Sequence, residues 1–170
     1  MKIIFTAIAL AFALSARAAD VTVTITDVHI CCQSCVKGVA KAVADVNGLT
    51  AKADQDAGTV TLTGPDTATV QKGADALVAG GFFGKSSDAS IKINAETGAK
   101  NQTVESIKIE NLHLCCGKCV KAVNAVLATV PGVTGNTAAV GAKSFNVSGK
   151  FNDKDLFDAF QKAGFTGQEK

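Results

Sequence analysis

Apolar and polar residues alternate from Val21 to Thr26, with Val21, Val23 and Ile25 on one side and Thr22, Thr24 and Thr26 on the other. That period predicts a strand buried on one face. Ile107 and Ile109, alternating with Lys108 and Glu110, predict a second strand of the same kind. The alternation slips once at Asp27-Val28 and once at Asn111-Leu112, after which Val28 and Ile30, like Leu112 and Leu114, continue to face inward. A slip shared by both stretches predicts a bulge that aims the loop following it. The period then becomes helical: Val36, Val39, Val43 and Val46 recur at that spacing, as do Val120, Val123, Leu127 and Val130. Asn47-Gly48 and Pro131-Gly132 stop these helices. Short strands are expected near Ala51–Ala53 and Thr59–Thr63, and again near Asn136–Ala139 and Lys143–Ser148. Second helices are expected over Thr67–Ala79 and Asp153–Ala163, ended by Gly80-Gly81 and Gly164, with last strands starting at Phe82 and Phe165.

The order β-α-β-β-α-β, read twice, is that of the split ferredoxin-like unit. The fold class expected is therefore α+β, with two tandem ferredoxin-like sandwiches. Both copies line up at an offset of 84 residues, through Val36/Val120, Lys37/Lys121, Val39/Val123, Val46/Val130 and Gly48/Gly132. The domains are expected at 20–85 and 104–170, joined by a polar linker at 86–103 in which Ile91 and Ile93 extend the first domain's last strand. Ahead of them, Lys2, the apolar run Ile3–Leu14 and the small residues Ala16 and Ala18 have the parts of a secretory signal peptide at 1–18. The run is too short to span a bilayer, so the mature chain is expected to have no membrane span and to be periplasmic or secreted.

Charge and composition narrow the function. Removing Lys2 and Arg17 leaves the acidic and basic residues balanced, which argues against a nucleic-acid or membrane-surface binder. There is no Trp and no Tyr to stack on sugars or bases. With only 2 His, a Ser-His-Asp hydrolase has little to work with, and no enzyme activity is expected. The 6 Cys and both His all fall in two segments, His29-Ile30-Cys31-Cys32-Gln33-Ser34-Cys35 and His113-Leu114-Cys115-Cys116-Gly117-Lys118-Cys119.

A Cys-x-x-Cys at the junction of first strand and helix, inside this unit, resembles the heavy-metal-associated domain of copper chaperones, of metal-transporting ATPase arms and of a periplasmic mercury-scavenging protein. The family's Gly-Met-x-Cys-x-x-Cys aligns without gaps on both segments. Ala163-Gly164-Phe165 is similar to the family's Ala-Gly-aromatic ending, and Gly80-Gly81-Phe82 is a looser version. The resemblance implies that the rings of Phe82 and Phe165 shield the metal loops. The chain departs from the family where Ile30 and Leu114 stand for Met, Cys31 and Cys115 for a small polar residue, and His29 and His113 for Gly.

Cys32 and Cys35 lie one turn apart at a helix start, where free N–H groups and the helix dipole favour thiolate, the metal-binding form. His29 and Cys31 are two apart on extended chain and share a face, so three sulfurs and an imidazole could converge in each copy. Cys116, Cys119, Cys115 and His113 repeat the set. A Cys₃His set suits zinc and thiolates alone suit Cu(I), while Hg²⁺ and Cd²⁺ are soft enough to compete. The expected cargo is a heavy metal ion, copper or zinc first, about one per domain at independent sites. The partner expected is a metal transporter or another metal-binding protein. Lys37 and Lys121 are candidates to temper thiolate charge. Disulfides, within a loop or between loops, remain an alternative for the cysteines, and so does a thiol–disulfide redox protein using the Cys-x-x-Cys pairs.

Overall fold

The computed structural model describes residues 19–170, so the segment read as a signal peptide lies outside the described residues. The N-terminal half runs β1 (Val21–Thr26), α1 (Gln33–Ala42), β2 (Thr50–Asp54), β3 (Thr59–Gly64), α2 (Thr67–Ala79) and β4 (Lys85–Ser86). The C-terminal half repeats it as β5 (Thr103–Glu110), α3 (Gly117–Leu127), β6 (Val133–Asn136), β7 (Ser144–Asn152), α4 (Asp153–Lys162) and β8 (Gln168–Glu169). The sheets have the orders β2-β3-β1-β4 and β6-β7-β5-β8, all neighbours antiparallel. These are two ferredoxin-like units, as expected.

Each core follows from the alternation. Val23 and Ile25 of β1 are buried with Val60 and Leu62 of β3 beneath Val39 of α1 and Val70, Ala74 and Leu77 of α2. In the second half Ile107, Ile109 and Val147 are buried with the larger rings of Phe145, Phe151, Phe157 and Phe160. Burying these faces is the main favourable term in folding each half.

The shared slip after the first strand is not a bulge. Asp27 and Asn111 sit in the left-handed region, at φ 60° and 61°, and end the strands at corresponding positions. That single reversal resets the alternation and leaves Val28, Ile30, Leu112 and Leu114 buried. Asp and Asn are the side chains that adopt this conformation most readily. Irregular pairing occurs elsewhere, between Val104 and Ser106 and between Val133 and Gly135.

Three other expectations are corrected. The last strands begin at Lys85 and Gln168, because Phe82 and Phe165 pair with each other across the two halves instead. Strand β6 lies at Val133–Asn136, earlier than its alternation suggested, and β7 runs on to Asn152. Ile91 and Ile93 extend no strand. Ile91 is buried and Ile93 half-buried, and the neighbouring Lys92 backbone is held from both sides by the Gln71 amide, at 2.8 Å each way.

The connector is anchored at its far end too. Asp153, fully buried at the start of α4, accepts from the Lys100 and Gln102 N–H groups at 2.8 Å each. Burial pushes its carboxyl up, but the donors of Lys100, Gln102 and Lys154 outweigh that and leave it below its ordinary value. A depressed folded value contributes stability above about pH 4 that fades as pH falls through the folded value. Asp153→Ala should cost about 2–3 kcal/mol, because two connector N–H groups lose their acceptor. Urea unfolding checks this: the gap between wild type and variant should be full at pH 7 and should shrink below pH 4.

Candidate metal centre

Each Cys loop is presented by the same local device. The left-handed corner at Asp27 or Asn111 turns the chain off its strand, and a buried aliphatic (Ile30 or Leu114) pins the segment down. Cys32 then caps α1 and Cys116 caps α3, in extended conformation and without a side-chain cap bond, so their sulfurs are free for other work. Cys35 and Cys119, one turn in, are fully buried.

The halves are docked so that these loops face each other. Phe82 and Phe165 form an antiparallel bridge. His29 N–H and Phe83 N–H donate to the Gly164 carbonyl, and Thr166 N–H donates to that of Gly81, all at 3.2 Å. A Cβ at Gly81 would stand 2.3 Å from the Asn111 carbonyl oxygen, and one at Gly164 would stand 2.4 Å from the His29 nitrogen. Both glycines have positive φ, 85° and 81°. Only glycine admits so close a backbone approach in that conformation.

As a result the six thiols form one cluster. Ten sulfur pairs lie 3.4–3.9 Å apart. Six of these join one motif to the other, among them Cys35–Cys115 at 3.4 Å and Cys31–Cys119 at 3.5 Å. All six cysteines are free thiols. The two loops, expected to serve independent sites, therefore lie side by side. The motifs are 84 residues apart in sequence, and the glycine contacts close that gap.

The aromatic shielding is crossed as well. The Phe165 ring stacks on His29 of the other half, centroids 4.1 Å apart, and Phe82 packs on His113 at 4.4 Å. The rings thus cover the partner half's loop rather than their own. Gly38 of α1 makes room for His113, for a Cβ there would stand 2.6 Å from its ring. The Nε2 atoms of His29 and His113 are buried without a hydrogen-bond partner. A ring nitrogen of His29 lies within 4.8 Å of the Cys31 and Cys119 sulfurs. Lys37 and Lys121, by contrast, are exposed on their helices.

The thiols share protons unequally. A hydrogen bond from Cys119 holds the Cys35 thiol far below its ordinary value against the opposing effect of burial, and His113 adds in the same direction. Cys119, the giving partner, is correspondingly raised. The Cys119 backbone N–H at the helix start holds Cys116 down near 6. Burial pushes Cys31 up to about 12, and Cys115 up as well. Burial also lowers His29, which keeps its imidazole neutral and able to offer a lone pair.

The donors fall into groups of three: Cys31, Cys32 and Cys116; Cys32, Cys35 and Cys115; Cys115, Cys116 and Cys119; and His29 with Cys31 and Cys119. Each group could hold a soft metal ion, and all but Cys115, Cys116 and Cys119 combine both motifs. An open cleft lined by Lys41, His113, Cys115 and Lys143 reaches the cluster from solvent. The composite character could not be read from the motifs, because it depends on docking. The signal for it lay in Gly81 and Gly164, which end helices and also admit the backbone of the other half.

No protein-family model and no curated protein matches the chain. Among solved structures, the chain is similar to the N-terminal soluble domains of CopA from Bacillus subtilis, at 17% identity and a TM-score of 0.33, covering 90% of this chain and 95% of that one. It is also similar to the first two RRM domains of the yeast poly(U)-binding protein, at 8% identity and a TM-score of 0.28, covering 88% and 97%. Neither superposition is close enough to carry that protein's chemistry over to this chain.

Proposed function

We propose that this chain is an exported, non-enzymatic heavy-metal-binding protein that buffers a soft ion, copper(I) first, or hands it to a transporter or another metal-binding protein. The observation that carries the reading is the convergence of six free thiols, with close sulfur pairs at 3.4–3.9 Å, flanked by two half-buried imidazoles whose buried Nε2 atoms have no partner. Polar atoms buried without partners are costly, and a metal ion or its thiolate shell would satisfy them. Uptake would run by deprotonation, each thiol releasing its proton as it ligates. Release would run by ligand exchange: an incoming thiolate joins the ion as one of the resident sulfurs leaves. Surplus sulfurs beside every donor group suit that step. Three sulfurs per ion with no open position favour holding the metal over using it as a catalyst.

The test is titration of the reduced, anaerobic chain with Cu(I), Zn²⁺ and Hg²⁺ against a competing chelator, with bound metal and reactive thiols both counted. Tight binding with all six thiols protected supports the reading. Failure to retain any of the three metals, with thiols that cycle through disulfides instead, would overturn it.

A further inference from the structure

The sulfur contacts have a definite shape. The ten close pairs leave out Cys31–Cys32 and Cys115–Cys116, neighbours within each motif, and also Cys31–Cys115, Cys32–Cys119 and Cys35–Cys116. Adding Cys31–Cys32 and Cys115–Cys116, which lie within 4.8 Å, leaves only the last three, disjoint pairs without a contact, which is the adjacency of an octahedron with those pairs on opposite corners. An octahedron has triangular faces, and no four of its corners are mutually adjacent. Three of the all-cysteine donor groups are faces of this one: Cys31-Cys32-Cys116, Cys32-Cys35-Cys115 and Cys115-Cys116-Cys119. They touch only at corners. The single face that completes such an alternating set is Cys31-Cys35-Cys119, whose edges are 3.7, 3.5 and 3.8 Å. This is also the face beside His29.

Resting on the metal-binding reading above, we infer that the six cysteines form one tetranuclear copper(I)–thiolate cluster, with one ion on each of these four faces and every sulfur bridging two ions. In the Cys32-Cys35-Cys115 and Cys31-Cys35-Cys119 faces every edge is 3.4–3.9 Å, which puts the centre about 2.0–2.3 Å from the corners, close to a metal–thiolate bond of about 2.3 Å. The other two faces each have one longer edge, within 4.8 Å. Trigonal sulfur coordination suits Cu(I), whereas zinc wants four donors in a tetrahedron. Among the described residues the donor groups have three members and not four. Charge balances simply: six thiolates supply six negative charges, four Cu(I) ions supply four positive ones, and the core carries two negative charges. The Nε2 atoms of His29 and His113, buried without hydrogen-bond partners, lie beside that core and add polarity around it. The third cysteine of each motif then has a defined role. Cys31 belongs to two faces and Cys115 to the other two, so every face needs one of them.

The reduced full-length mature chain should be titrated with Cu(I) and followed by native mass spectrometry and X-ray absorption. The expected course is cooperative, with a four-copper species appearing early at the expense of one- to three-copper forms, and with copper–copper scattering in the loaded protein. The Cys31→Ser/Cys115→Ser double variant keeps both Cys-x-x-Cys pairs but takes a sulfur from all four faces. It should lose the four-copper form and bind two ions or fewer. Saturation of the wild type at two ions without copper–copper scattering would overturn the cluster while leaving metal binding intact. So would a double variant that loads as fully as the wild type. A wild type that retains no copper against the chelator would instead overturn the metal-binding reading itself. The scattering measurement needs no variant, so it stands even if the double variant folds poorly.

Discussion

Replacing Gly81 and Gly164 together by alanine should separate the two Cys loops and weaken metal binding by about 30- to 1,000-fold, with each half still folded. Each added Cβ would enter the backbone of the opposite half, at 2.3 Å from the Asn111 oxygen and 2.4 Å from the His29 nitrogen. Rigid backbone cannot yield as a side-chain tip can. Overpacking of this kind costs about 1–2 kcal/mol per alanine, so the pair costs about 2–4 kcal/mol of docking energy. At about 1.4 kcal/mol per factor of ten, that is the stated range. Competition against a Cu(I) chelator measures it, with far-ultraviolet circular dichroism as the control for folding. Unchanged affinity would mean that the thiols come together without this contact.

Those two glycines mark where sequence reasoning stops. Element order, the helical faces and the cysteine loops were all legible, because each depends on periodicity or on residues close together in the chain. Thr67–Ala79 forms a helix with the expected bounds, and Val23, Ile25, Val60 and Leu62 lie in the core the alternation assigned them. What a single copy cannot express was missed. Gly80-Gly81 and Gly164 read as helix stops, which they are, but their second role is to admit the other half's backbone. The rings of Phe82 and Phe165 were expected to shield the metal loops, and each covers the His of the opposite half's loop. The slip at Asp27 and Asn111 was visible while its cause was not, since a left-handed corner and a bulge shift the alternation alike.

The second large effect concerns the unequal cores. Phe160→Ala should destabilise the C-terminal half by about 3–5 kcal/mol, the usual cost of emptying a buried ring's volume. Phe160 is fully buried and meets Phe145 and Phe157 edge to face, at centroid distances of 6.4 and 6.5 Å. The matching region of the first half is built from smaller side chains, Val60, Leu62, Val70 and Leu77. The loss should therefore appear as earlier unfolding of the second half, and with it of the thiol cluster. Thermal unfolding read by hydrogen exchange on β7 and on β3 separates the halves. Equal loss of protection in both would show that they unfold as one cooperative unit.

The anchored connector has a further consequence. Lys92 is tied to Gln71, Thr97 to the Glu169 N–H, and Lys100 and Gln102 to Asp153, so the chain between the halves follows a fixed path. Two identical single-domain proteins would have to find each other before they could pool their sulfurs, and dilution would part them. Here the second loop is supplied to the first at an effective concentration of millimolar order or above, whatever the abundance of the protein. The assembly of the six-sulfur site is thus a property of one molecule, and a cell that makes only a little of it loses none of its capacity per chain.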